Sequence, residues 1–258
     1  MTGTVFLIGA GPGATDLLTL RAARLLEAAD IVFHDALVPR DVLALAGRAE
    51  LVSVGKRCGR HSTAQRFINK RLVDAARRYA VVVRLKGGDP LLFGRAQEEI
   101  AALEEAQIAY EIVPGVTAAF AAAAAVGASL SQRGKVRSIA LATPRVGDGE
   151  DASDWIRGFS AADAGAIYMG IGEASGIAAL LLAHGKPRSL PVALVENASL
   201  PDERIVHTTL AQLPSLDTRE FRGPTLLLIG PQFALRKARA AQTQSATQAG
   251  PPAIKKLG

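Results

Sequence analysis

The stretch from Thr4 to Ala14, TVFLIGAGPGA, decides how the rest of the chain is read. TVFLI is a short apolar run bounded by turn residues, the pattern of a buried strand. It breaks into GAGPG, where glycines and a proline interrupt regular structure. TDLLTLRAARLLEAAD follows, with apolar residues at helical spacing and Thr15 or Asp16 as the expected N-cap. Strand, glycine turn and helix in that order open a βαβ unit, and the alternation continues. IVFHD and ELVSV read as strands, TAQRFINKRLVDAARR as an amphipathic helix, and AVVVRLKGGDP as a strand running into a glycine turn. GRAQEEIAALEEAQ is another helix and YEIVPG another strand. This pattern predicts a mainly parallel sheet covered by helices.

The second half repeats the theme more loosely. RSIALATP, AGAIYMG, PVALVEN, RIVHTTL and GPTLLLIGP read as strands, and EASGIAALLLAHGK as a helix stopped at Gly185. VGDGEDASDWIRGFSAADAG is polar and reads as a mobile excursion. Connections such as ENASLPDERIVH lack a crossover helix, so part of this sheet is expected to be antiparallel. The predicted fold is α/β with two α/β domains: residues 1–130 around a mainly parallel sheet and residues 131–239 around a mixed one. The aperiodic polar tail, residues 240–258, is expected to be disordered.

Composition removes several classes. A chain of 258 residues that is 49% hydrophobic and 21% charged is ordinary for a soluble globular protein of one or two domains. Cys58 is the only cysteine, which excludes a disulfide scaffold. MTGTVFLIGAGPG lacks the basic n-region of a secretory signal. The most apolar run, VTAAFAAAAAVGASL, is mostly alanine and shorter than the roughly 20 residues a bilayer needs. These features read as cytoplasmic, with no membrane partner. Thirty Lys and Arg against 24 Asp and Glu give +6 and a pI of about 9.8, compatible with a polyanionic ligand or a solvated basic face. The basic clusters LVSVGKRCGRH and QRFINKRLVDAARR are almost free of the aromatic residues on which single-stranded nucleic acid stacks, so no nucleic-acid partner is expected. The four histidines do not cluster at ligand spacing, and no metal site is expected.

GAGPGA also satisfies G-x-G-x-x-G/A, with Asp35 closing the next strand about 20 residues on, which is the outline of a nicotinamide dinucleotide site. Pro12 argues against it, because proline offers no N–H where a pyrophosphate must be held. Further glycine loops would also be idle in a dehydrogenase. Ligands of open α/β sheets bind outside the carboxyl ends of the strands. Four loops here stand at such ends: GAGPG, GGDP, PGVTAA and YMG.

Taken with VGKRCGRHSTAQ, VVRLKGGDPLLFGRAQEE, PVALVEN and GPTLLLIG, these loops make the chain resemble the S-adenosylmethionine-dependent tetrapyrrole methylases, and among them the uroporphyrinogen-III C-methyltransferases, from about Val5 to Arg236. The resemblance implies a cofactor, S-adenosylmethionine, leaving as S-adenosylhomocysteine, in a cleft between two domains of a homodimer. It implies methylation of a tetrapyrrole at C2 and C7 to give precorrin-2. A precorrin or cobalt-precorrin methyltransferase of the same fold is the near alternative. The matched cofactor positions are Pro12, Gly87, Gly88, Asp89, Leu92, Thr117, Ala118, Met169, Ala198 and Thr225. Asp35 matches the family's proposed base and Lys56 its proposed proton donor. Arg57, Arg84, Arg95 and Arg133 are the candidates to hold substrate carboxylates through charge-assisted hydrogen bonds.

The departures from the family pattern fall on the substrate side. Where DRLV is usual, this chain has Ala36, and GRGGEE has become GRAQEE through Ala96 and Gln97. LTHR reads Leu130-Ser131-Gln132-Arg133, and TGH reads Thr143-Pro144-Arg145. A family tyrosine is replaced by Ala124 or Ala125. The donor loops are mostly intact, so the identity of the methyl donor is better specified than that of the acceptor.

Overall fold

A computed structural model describes residues 2–55, 63–147 and 154–235. Lys56, Arg57, Cys58 and the tail expected to be disordered lie outside them. Two five-stranded sheets organise the chain. The first contains Thr4–Gly9 (β1), Ile31–His34 (β2), Glu50–Ser53 (β3), Val81–Lys86 (β4) and Ala109–Val113 (β5), in the order β3-β2-β4-β1-β5. Every pairing in it is parallel. Its helices are Leu20–Glu27 (α1), Arg40–Leu43 (α2), Thr63–Ala76 (α3) and Ala96–Glu105 (α4). The second sheet contains Ile139–Ala142 (β6), Ala164–Ile167 (β7), Pro191–Glu196 (β8), Arg204–Thr209 (β9) and Thr225–Ile229 (β10), in the order β6-β7-β10-β8-β9. There β6 and β7 are parallel, while the β7-β10, β10-β8 and β8-β9 pairings are antiparallel, as the short connections require. Ala118–Val126 (α5), Trp155–Ala161 (α6) and Ala174–Ala183 (α7) complete the elements.

Both sheets are covered on both faces, which explains their nearly continuous apolar strands. On β1, Val5 and Leu7 enter a core with Leu72 of α3 and Leu103 of α4, while Ile8 enters one with Leu26 of α1 and Val42 of α2. The second sheet divides likewise. Leu227, Ile229, Val192 and Leu194 pack with Ile177 and Leu181 of α7, and Leu226, Leu228, Ala193 and Val195 pack with α5. The alanines of α5 (Ala119, Ala121, Ala122, Ala123) let that helix lie close to the sheet, so the alanine run is a packing device. Because α5 packs against β8 and β10, a division at residue 130 separates it from its own core.

Two local expectations need correcting. Thr15–Leu17 forms a 3-10 turn, and α1 starts later, capped by Thr19, whose Oγ1 accepts from Ala22 N at 3.1 Å. The segment read as a mobile excursion contains α6, anchored by buried Ile156 and Phe159 one helical turn apart. The short α2 was not anticipated, because one turn of helix carries no periodicity.

Candidate active site

A parallel sheet brings all its carboxyl ends to one edge, and three glycine loops meet there. The GAGPG loop after β1 pairs with the GGDP loop after β4: Gly88 N donates to Gly11 O at 2.8 Å and Gly11 N to Gly88 O at 3.2 Å. The PGVTAA loop after β5 closes the cluster. A methyl group on Gly115 would lie 2.3 Å from Gly88 O and 2.8 Å from Gly9 Cα, so only bare backbone fits. Asp89 fastens the arrangement: its Oδ2 accepts from Gly115 N at 3.0 Å and its Oδ1 from Leu91 N at 2.8 Å. Expected as a ligand contact, Asp89 spends one oxygen on joining two loops and the other on the turn of its own loop.

The second sheet reaches the same edge. Tyr168, directly after β7, shares a 2.7 Å hydrogen bond with Thr117 Oγ1 and accepts from Ala119 N. Thr117 stands at the N-cap of α5, and its hydroxyl is turned to Tyr168 instead of capping the helix. The Tyr168 ring also packs on Phe93 at 5.1 Å. Burial pushes the Tyr168 phenol up, opposed by the bonds from Thr117 and Ala119. After β8, Ser199 Oγ accepts from Ala14 N at 3.1 Å, and Leu200 packs where Gly13 lacks a side chain. Thr225 pairs with Glu196 on the adjoining strand, beside buried Ala198. The expected positions Pro12, Gly87, Gly88, Asp89, Leu92, Thr117, Ala118, Met169, Ala198 and Thr225 thus lie on loops, strand ends or the start of α5 at one edge. Of the six non-glycine residues with positive φ among the described residues, five stand on these loops: Phe93, Arg95, Met169, Asn197 and Ser199. Such clustering of unfavourable backbone is a mark of functional sites.

Asp35, directly after β2, extends this edge. Its Oδ1 accepts from Arg84 NH2 at 2.6 Å, and its side chain is 31% exposed. Arg84 corrects an expectation: it is 2% exposed and faces the interior, not a substrate carboxylate. Its remaining donors serve Glu99 Oε1 at 2.8 Å, Leu85 O at 3.1 Å and Phe33 O at 3.4 Å. Burial alone would lower the pKa of this guanidinium, but Asp35 and Glu99 outweigh it and raise it. Lys86, two residues along the same strand, donates to both oxygens of Glu99 at 3.0 and 2.9 Å. Burial and then the neighbouring Arg84 push this ammonium down, against the pull of Glu99 and Asp35. Sequence reasoning missed Lys86 and Glu99. The available signal was two cations at i and i+2 in an otherwise apolar strand, facing a helix that carries paired glutamates.

Arg95 makes a two-pronged salt bridge with Glu98 near the mouth, with Nε–Oε1 at 2.5 Å and NH2–Oε2 at 2.8 Å. Arg133 is exposed in the tight turn that the Gln132–Val136 bridge closes.

This edge suits a pyrophosphate poorly. Gly11 N and Ala14 N are already bonded, Pro12 has no N–H, and α1 begins well beyond the loop. The strand order also departs from that of dinucleotide-binding sheets. What remains open is backbone and apolar rim: a side chain on Gly88 would meet nothing within 4 Å, and Phe93 and Met169 are 39% and 45% exposed. No group of His, Cys, Asp and Glu suited to a metal ion occurs among the described residues.

A family model described as tetrapyrrole (corrin/porphyrin) methylases matches residues 4–214. The chain belongs to this family. Among solved tetrapyrrole methylases, uroporphyrin-III C-methyl transferase from Thermus thermophilus, complexed with S-adenosyl homocysteine, superimposes with a TM-score of 0.79 at 38% identity, covering 90% of this chain and 94% of that one. Cobalt precorrin-4 methyltransferase superimposes with the same TM-score at 28% identity, covering 90% and 96%. Siroheme synthase 1 of Klebsiella pneumoniae subsp. pneumoniae is 42% identical over 240 residues, 93% of this chain and 51% of its own length. The chain spans about half the length of the curated relatives it matches.

Proposed function

We propose that this tetrapyrrole methylase transfers methyl groups from S-adenosylmethionine to uroporphyrinogen III at C2 and C7, giving precorrin-2 and S-adenosylhomocysteine. The observation that carries the reading is that Asp35, held by Arg84, stands on the same sheet edge as three interlocked glycine loops. The Thermus relative, solved with S-adenosyl homocysteine, supports the donor. When bound, S-adenosylmethionine supplies a sulfonium methyl that an electron-rich pyrrole carbon takes without a covalent enzyme intermediate. The chain has to hold the acceptor in line, exclude water and receive a proton. The glycine loops offer backbone for close approach, and Phe93 and Met169 form an apolar lip. Asp35, oriented by Arg84, accepts a proton from the macrocycle. Lys56, Arg57, Arg95 and Arg133 retain their proposed roles of proton donor and carboxylate ligands.

Anaerobic incubation with uroporphyrinogen III and S-adenosylmethionine, followed by product mass, tests the reading: two added methyl groups are expected. Methylation of a precorrin but not of uroporphyrinogen III would move the assignment to the branch of the cobalt precorrin-4 relative. Calorimetry should show binding of S-adenosylhomocysteine and none of NAD. The reading includes a cytoplasmic homodimer, which cell fractionation and light scattering check. No helix among the described residues is long and apolar enough to cross a membrane.

A further inference from the structure

Helix α4 begins with two adjacent glutamates that do opposite things. Glu98 is at the surface with Arg95, whereas Glu99 is fully buried. Burying a carboxylate is costly, and Glu99 is tolerated because four donations reach it: one from Arg84 Nε, two from Lys86 Nζ, and a weaker one from Gln65 Nε2 at 3.3 Å. Gln65 is itself oriented by Asn69 Oδ1 at 2.9 Å, and Asn69 Nδ2 donates to Glu98 O at 2.9 Å. Gly94 lies against the Lys86 stem, 3.1 Å from Cε to the place where its own Cβ would be, so the loop carrying Phe93 and Arg95 rests on the same side chain. Neutralising Lys86 would need only one bond to Glu99. The geometry does more, because Glu99 Oε1 grips Arg84 at Nε while Asp35 is gripped at NH2 of the same rigid plane.

We infer that Glu99 is a positioning residue for methyl transfer: by fixing the Arg84 guanidinium plane it sets where the Asp35 carboxylate stands on the cleft edge. This rests on the methyl-transfer reading above. A chain that merely balanced buried charge would need Glu99 only for Lys86, and the two roles separate in a variant series.

Glu99→Gln keeps the shape but faces an amide against the donors of Arg84 and Lys86. Its kcat should fall at least tenfold, with KM and the affinity for S-adenosylhomocysteine within about threefold of the parent. Lys86→Gln/Glu99→Gln removes both charges and guards against a folding failure of the single variant. If Glu99 positions Arg84, the double variant stays slow although thermal unfolding shows it folded. Recovery of turnover to within threefold in the double variant would overturn the inference, as would a Glu99→Gln single variant as active as the parent. A proportional loss of turnover and cofactor affinity in both variants would also count against it. All measurements use whichever tetrapyrrole the parent chain methylates, so a different acceptor corrects the proposed function and leaves Glu99 on trial. A parent chain inert towards every tetrapyrrole sinks both.

Discussion

Gly115→Ala is the sharpest test of the loop cluster, because the obstruction is backbone on every side. The new Cβ would sit 2.3 Å from Gly88 O, 2.8 Å from Gly9 Cα and 3.0 Å from Gly9 C, where ordinary contact needs 3.4 Å or more. No side chain can rotate away, so the loops must part by about 1 Å. Opening that gap strains the Gly115 N to Asp89 bond and the reciprocal Gly11–Gly88 pair, each contributing about 1 kcal/mol net. With overpacking costing about 1–3 kcal/mol, a stability loss of about 2–4 kcal/mol is expected in urea unfolding. Affinity for S-adenosylhomocysteine should fall at least tenfold, about 1.4 kcal/mol, because the displaced backbone is the proposed ligand floor. Gly88→Ala separates space from conformation. Nothing lies within 4 Å of its Cβ, but its φ of +68° charges a side chain about 1–2 kcal/mol, so it should destabilise less while still weakening the ligand. Gly172→Ala, with open space around its Cβ and no such φ, should change neither quantity. A Gly115→Ala protein that binds S-adenosylhomocysteine within twofold of the parent, with an unchanged urea midpoint, would refute the interlocked-loop account.

Other perturbations probe the rest of the edge. Arg84→Met leaves Asp35 without its partner and Glu99 with Lys86 and Gln65 alone, and should cost about 3–5 kcal/mol in urea unfolding, far more than loss of a surface arginine; a cost below about 1 kcal/mol would contradict the buried network. Asp35→Asn should abolish turnover while leaving S-adenosylhomocysteine binding intact by calorimetry, and near-normal turnover would remove the proton-acceptor role. Tyr168→Phe keeps the ring on Phe93 but loses the bonds to Thr117 and Ala119, so it should weaken ligand binding by about 1–2 kcal/mol, and unaltered binding would exclude Tyr168 as the tie between the sheets. Asp163 accepts from Ser138 N, Arg137 N and Ser138 Oγ, which hold its carboxyl at about 2 against an ordinary 3.8. Its contribution is therefore present above pH 3.8 and lost as pH falls through about 2, so the stability gap between parent and Asp163→Asn should narrow across that window. A gap independent of pH would contradict this.

The sequence announced those parts of the fold that local rules govern. Strands of β-branched and apolar residues, ended by glycines, placed the loops at the carboxyl edge, and short connections foretold the antiparallel pairings. Weak or compensated signals were hidden. Thr19 lost to Thr15 and Asp16 as a cap because the 3-10 turn between them has the composition of a first helical turn. In α6, the Ile156 and Phe159 pair was masked by surrounding polar residues. The buried charges were misjudged for a deeper reason: single arginines and lysines are almost always solvated, so Arg84 was read as facing a substrate. Strand alternation puts Val82, Arg84 and Lys86 on one face, but only pairing α4 with β4 in space reveals that α4 covers that face.

That face also changes the meaning of the chain's net charge. The cluster of Arg84, Lys86, Glu99 and Asp35 is formally neutral, so the residues that set the proposed proton acceptor contribute nothing to the +6. Three of the four are sealed from solvent, and only Asp35 reaches the edge. In a closed network the loss of one member leaves the others without compensation, and orientation is transmitted because each hydrogen bond has no water to replace it. The excess of lysine and arginine lies elsewhere: as solvated surface and, for the proposed ligands Lys56, Arg57 and Arg133, as the proposed attraction for a polycarboxylate approaching the cleft. Attraction of that kind weakens with ionic strength, whereas the buried cluster is shielded from it. Added salt should therefore raise KM for the tetrapyrrole and leave kcat nearly constant.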